Sequence, residues 1–138
     1  MTIHDLDHVN IRTARLAEMV TFYSDVLGLA PGARPPFGFA GAWLYCGDKA
    51  AVHLVEVDLV EVDEAPGSGG PRIEHFAFMA DGLARFLTKL REQDVSYRTA
   101  IIPGIENRQV HLRDPDGNHI EIQFAASQEA DPSDDPGP

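Results

Sequence analysis

Basic residues are scarce: 11 Lys and Arg stand against 22 Asp and Glu in 138 residues, for a formal net charge of -11. Nucleic acid and anionic membrane surfaces are held by clustered Lys and Arg, so neither is an expected partner. Cysteine is scarcer still. With Cys46 alone no disulfide can close within the chain, which suits a reducing compartment. No apolar run approaches the roughly 20 residues that span a bilayer. The segment Met1 to Asp7 also lacks the basic stretch and apolar run of a secretory leader, so a cytoplasmic location is expected. Phosphate loops, Gly-x-Ser-x-Gly elbows and dinucleotide fingerprints are missing, and Asp114-Pro-Asp-Gly-Asn lacks the ligand spacing of a calcium loop.

What is present is a duplicated pattern. A shift of 67 residues lays Leu6-Asp7-His8-Val9 over Ile73-Glu74-His75-Phe76, and Leu16, Met19 and Tyr23 over Leu83, Phe86 and Leu90. A shift of 68 lays Leu44 over Leu112, Val52 over Ile120 and His53 over Glu121. One supersecondary unit is therefore used twice. The first module is expected over residues 1–60 and the second over 72–125. An acidic and Pro/Gly/Ser-rich linker joins them at 61–71, and a disordered acidic tail follows at 126–138.

Each module reads as strand, helix, then two or three strands. Leu6 to Arg12 alternate as a strand with His8, Asn10 and Arg12 on one face. Thr13 is a candidate N-cap for a helix whose stripe is Leu16, Met19, Val20, Tyr23 and Val26 or Leu27, stopped at Gly28. Pro31 to Gly41 reads as loop or short edge strand. Ala42–Cys46 and Ala51–Val57 follow as strands around a Gly47-Asp48-Lys49 turn. In the second module Arg72–Met79 is a strand, and Asp81 can cap a helix with stripe Leu83, Phe86, Leu87 and Leu90. Ser96–Ile101, Gln109–Arg113 and His119–Phe124 are strands.

Neutral imidazoles and carboxylates suit first-row divalent ions. His8 and His75 sit at equivalent places, as do His53 and Glu121. Modules packed about a pseudo-twofold axis would bring these four together as metal ligands. Strand alternation puts His53 and Glu56 on opposite faces, which favours His53 as ligand and leaves Glu56 solvated. His119 shares the parity of Glu121, but its place at a turn makes exposure the expectation. His4 belongs to a frayed terminus. His111, which corresponds to Trp43, could line a pocket, and Arg12 and Arg113 could bind an anionic substrate group.

The segments His8-Val-Asn-Ile-Arg, Met19 to Leu29, Val52-His-Leu, Glu74-His-Phe-Ala-Phe and Asp114 to Ile122 together resemble the vicinal oxygen chelate superfamily over residues 3–125. Its members include glyoxalase I, methylmalonyl-CoA epimerase, extradiol dioxygenases, fosfomycin-resistance thiol transferases and bleomycin-binding proteins. The resemblance implies an α+β fold of two βαβββ modules forming a U-shaped mixed sheet around a central cleft, commonly as a homodimer. It implies one divalent ion (Ni, Zn, Mn or Fe) held by residues matching His8, His53, His75 and Glu121, with Glu121 also at the position of the catalytic base. The substrate would be a small molecule, in some branches a thiol adduct, and lyase or isomerase chemistry would pass through an enediolate. His53 stands where bacterial glyoxalase I usually has glutamate, leaving the ion one anionic ligand. Two alternatives stay open. Ferrous ring-cleaving dioxygenation would use His8, His75 and Glu121. A metal-free binding protein of the bleomycin-resistance kind would have a pocket lined by Phe37, Phe39, Trp43 and Tyr45.

Overall fold

A computed structural model of the chain describes residues 1, 5–58, 75–104 and 106–127. His4, the expected linker, the start of the Arg72–Met79 strand and most of the tail lie outside these residues. The chain divides into two compact units, Met1–Gly70 and Pro71–Pro138. No helix among the described residues is long and apolar enough to cross a membrane.

The first unit runs β1 (Val9–Thr13), α1 (Leu16–Thr21), a π-helical continuation (Phe22–Val26), β2 (Ala30–Gly32), β3 (Gly41–Cys46) and β4 (Lys49–Glu56). The second runs β5 (His75–Met79), α2 (Leu83–Glu92), β6 (Tyr97–Ile101), β7 (Arg108–Arg113) and β8 (His119–Phe124). Both are four-stranded mixed sheets of the same topology, β1-β4-β3-β2 and β5-β8-β7-β6. The outer pairs β1–β4 and β5–β8 are parallel, and the rest are antiparallel. The duplication survives at the level of register. Val9 pairs with Val52 and Phe76 with Ile120; Asn10 pairs with His53 and Ala77 with Glu121.

Each sheet turns one face to a helix. In the first, Leu44, Val52 and Leu54 are buried with Met19, Phe22, Tyr23 and Val26, and α1 packs on β3 and β4. In the second, Val110, Leu112, Ile120, Ile122 and Phe124 are buried with Leu83, Leu87 and Leu90, and Phe86 meets the Phe124 ring at 6.0 Å. A buried Leu or Ile removed from water contributes about 1.5–3 kcal/mol, so these residues fix which face points inward. The opposite faces carry the histidines.

Three local expectations change. The apolar stripe of the first helix is buried as expected, but after Thr21 its bonding slips to the π pattern, with Leu27 N–H donating to Phe22 C=O at 3.4 Å. Thr13 does act at the helix start, its Oγ1 accepting from Arg15 N–H at 2.9 Å, although Arg15 holds the cap position. Gly82, at φ 85, stands where Asp81 was expected to cap α2. Only a residue tolerant of positive φ fits there without strain.

The Asp114-Pro-Asp-Gly-Asn segment forms the turn that sets β8 beside β7. Asp114 is buried and its carboxylate accepts from Asp116 N–H (3.0 Å), Asn118 N–H (2.9 Å) and Asn118 Nδ2 (2.8 Å), while Gly117 turns the chain at φ 85. Removing the acceptor leaves three part-buried donors without their partner, at about 1–3 kcal/mol. Asp114→Ala is therefore expected to lower the urea midpoint by an amount corresponding to about 2 kcal/mol. Asp116→Ala, which keeps the backbone donor, should shift it by less than about 0.5 kcal/mol.

Candidate metal centre

Period-two alternation in β5, β7 and β8 brings one polar row of side chains to the face away from α2. His75 pairs with His119, Arg113 with His119, and His111 with Glu121. Ligand atoms of His75, His119 and Glu121 all lie within 4.8 Å of one another, the one such group of three among the described residues. Metal–ligand bonds of about 2.0–2.2 Å put neighbouring donor atoms about 3.0–3.5 Å apart, so the side chains would have to draw in to close the set on an ion.

Glu121 is the centre of the row. It is buried, at 6% exposure, between the core residues Ile120 and Ile122. Its two oxygens have different neighbours. Oε2 accepts from Gln109 Nε2 at 2.9 Å and from Gln123 Nε2 at 3.4 Å. Oε1 faces His75 Nε2 at 3.6 Å and His111 Nδ1 at 3.5 Å. Two amides thus fix the carboxylate by one oxygen and leave the other toward the imidazoles. The ring nitrogens His111 Nδ1 and His119 Nε2 share a hydrogen bond of 3.0 Å, and His111 Nε2 is buried without a partner. Burial, reinforced by the charge of Arg98, holds the His111 pKa below the ordinary value, so the ring is neutral near pH 7.

In the first unit His8 and His53 also come together, but as a stack. Their rings lie 3.9 Å apart at 13°, and His53 lies 4.0 Å from Trp43 at 8° on its other side. His8 Nδ1 is hydrogen-bonded to Asp7 at 2.6 Å. Imidazole lone pairs lie in the ring plane. Two rings stacked at this spacing therefore cannot both aim a lone pair at one ion, and coordination by both requires one of them to turn. Burial, then the neighbouring His8, lowers the His53 pKa, which keeps the neutral, ligating form.

The remaining candidates are placed as follows. Glu56 is exposed, pairs with Thr13 and faces away from His53. Arg12 is exposed on β1, with Asn10 between it and His8. Trp43 and His111 hold matching places beside His53 and Glu121. Cys46 is free and exposed. His119, expected to be exposed at its turn, is only partly so and joins the row. The repeat gave it no weight because its counterpart is Ala51, but its parity with Glu121 was the signal that marked it.

A family model described as Glyoxalase/Bleomycin resistance protein/Dioxygenase superfamily matches residues 5–122. The chain belongs to that superfamily. It is 32% identical over 120 residues to a protein of Arabidopsis thaliana named Glyoxylase I 4, covering 85% of this chain and 68% of that one. Among solved structures it resembles lactoylglutathione lyase from Agrobacterium tumefaciens, with a TM-score of 0.65 at 21% identity over 92% of this chain and 98% of that one. It also resembles TnmS3, an antibiotic binding protein from Streptomyces sp. CB03234, with a TM-score of 0.66 at 20% identity over 91% of this chain and 98% of that one. Both structures share the fold. The superfamily acts on or binds small molecules, and its members typically bind a metal.

The stack makes the single tryptophan a reporter. A lowered pKa means the His53 ring charges only below the ordinary imidazole value of 6.5. A cation against the indole face quenches its emission. Trp43 fluorescence should therefore fall with a midpoint below pH 6.5, and the step should vanish in His53→Ala. A midpoint at or above 6.5 would contradict the buried, stacked placement.

Proposed function

We propose that the chain is a divalent-metal-dependent enzyme of the glyoxalase I-like type, acting on a small substrate that chelates the ion through two neighbouring oxygens. The observation that carries this reading is the convergence of His75, His119 and Glu121 around a buried, amide-tethered carboxylate. In the proposed ligand set His75 and Glu121 are joined by His8 and His53 from the first module. The bound ion would act as a Lewis acid, stabilising negative charge on the substrate oxygens.

The chain's own groups do the rest. Glu121 is the candidate for taking the proton from carbon next to a carbonyl; with Oε2 held by Gln109 and Gln123, Oε1 would leave the ion to accept it. His111, neutral and with Nε2 unpartnered, is placed to hydrogen-bond the substrate oxygen that gains charge. His8 and His53 exchange stacking for coordination. The likeness to the Arabidopsis Glyoxylase I 4 makes a thiol adduct of a 2-oxoaldehyde the first substrate to assay.

A second ligand set, His75, His119 and Glu121, is favoured by the mutual distances within the second module. Against it stands the His111–His119 hydrogen bond, which occupies His119 Nε2.

Metal content of protein purified without chelator should be close to one ion per chain. His75→Ala and Glu121→Gln should lose it. His53→Ala should weaken retention about tenfold or more with Glu56→Ala unchanged, and binding of zinc or nickel to wild type should change Trp43 emission as His53 leaves the indole. Full retention in His53→Ala with loss in His119→Ala would select the second set. Chelator-insensitive protein with no stoichiometric ion would overturn the reading in favour of metal-free binding. Gln109→Ala, which releases Oε2, should lower metal affinity or turnover about 10- to 100-fold without unfolding the protein.

A further inference from the structure

The polar face of the second sheet carries cations that metal ligation does not use. We propose that Arg98 and Arg113, beside His111 and His119, form an oxyanion subsite for a carboxylate or phosphate group of the substrate. The proposal rests on the reading above and adds to it the class of molecule taken: a chelating oxygen pair with a separate anionic arm.

The residues are placed by register. Arg98 lies across from His111 on β6, and Arg113 across from His119 on β7. Ser96, Arg98, His111, Arg113 and His119 line a pocket of 380 Å³ whose lining contains no Asp or Glu. That volume falls within the range of small-molecule sites, about 300–1,000 Å³. In a chain of net charge -11, a pocket with two guanidiniums, two imidazoles and no carboxylate runs against the average charge. Field lines from such a cluster favour an anionic guest.

The two guanidiniums are held differently. Arg113 Nη1 donates to Gly117 C=O at 2.8 Å, which fixes it at the β7–β8 turn. Arg98 has no ion-pair partner among the described residues, and its charge acts on His111 across the strand pair. An arginine fork with no carboxylate to bind is suited to paired oxygens of a carboxylate or phosphate. His111 links this pocket to the ligand row, since its Nδ1 lies 3.0 Å from His119 Nε2 and 3.5 Å from Glu121 Oε1.

The duplication supplies an internal comparison. At the place of Arg98 the first module has Gly32, paired with Trp43, and at the place of Arg113 it has Tyr45. There the Tyr45 ring fills the space, since a Cβ on Gly32 would meet it at 2.7 Å. Of the two equivalent corners, cations line only the second.

The test titrates the purified protein with inorganic phosphate and, separately, with succinate, following the histidine ring protons by NMR at constant ionic strength. Saturable shifts of His111 and His119 are expected in wild type. In Arg98→Gln the affinity should fall about tenfold or more, with metal content unchanged. The probe that saturates at lower concentration names the group. Arg113→Gln should weaken binding as well, but Arg98→Gln is decisive because Arg98 holds no turn. Equal affinity in Arg98→Gln, or shifts that grow without saturating for both probes, would overturn the subsite. Loss of metal with anion binding intact would instead count against the metal reading alone.

Discussion

The candidate ligands depend on a period of two. In β4 and β8 the core residues Val52 and Leu54, and Ile120 and Ile122, alternate with His53 and Glu121. A one-residue slip in either strand would drive an imidazole or a carboxylate into the helix-packed core and expose two large aliphatic side chains. Each aliphatic residue so exposed would lose about 1.5–3 kcal/mol of burial, and an unpaired buried carboxylate would cost more. The apolar face thus decides the placement of the polar one. The same choice made in β1 and β5 sets Asn10 beside His53 and Ala77 beside Glu121, which leaves His8 and His75 at the strand starts.

Duplication copies the scaffold without copying the chemistry. The sheets share order, polarity and register, and the equivalent central places hold His53 in one and Glu121 in the other. Their surroundings differ in kind. His53 is covered by rings, His8 and Trp43, and is buried by stacking. Glu121 is covered by hydrogen-bonding groups, Gln109, Gln123 and the imidazoles of His75 and His111. A neutral ring can be buried against other rings at little cost, whereas a carboxylate needs donors. One module therefore presents a polarizable aromatic stack and the other a directed network of amides and imidazoles.

The repeat was readable because both modules bury the same positions, and burial writes itself into residue type. Most strand positions, the helix stripes, the Gly47 and Gly117 turns and the opposite facing of His53 and Glu56 follow from alternation and turn chemistry alone, whereas β1, expected over Leu6 to Arg12, runs from Val9 to Thr13. The π-helical slip at Phe22–Val26 was not readable, since Met19, Phe22, Tyr23 and Val26 form the same buried stripe under either bonding pattern. His119 and Arg98 were missed for a different reason. Neither has a chemically similar counterpart, Ala51 and Gly32 standing in the first module, so an argument from equivalence passes over them. What places them is cross-strand register, which depends on where the β6–β7 and β7–β8 turns close.

In the proposed ligand set, the stack in the first module is the state in which His8 and His53 stand before an ion arrives. Two histidines held ready for coordination would repel once both are protonated, and would leave polar nitrogens desolvated. Stacking face to face and against Trp43 lets both rings bury apolar area instead, and burial pushes the His53 pKa down so that the neutral form persists. Aromatic pairs of this kind contribute about 0.5–1.5 kcal/mol beyond their area. That is small against the free energy of binding a divalent ion with several ligands, on the order of 10 kcal/mol for structural zinc. Were His8 and His53 to ligate an ion as proposed, a stack of this strength would be weak enough for the ion to open. In the second module the tether on Glu121 plays the matching part, since a carboxylate fixed through one oxygen offers the other without needing to be released first.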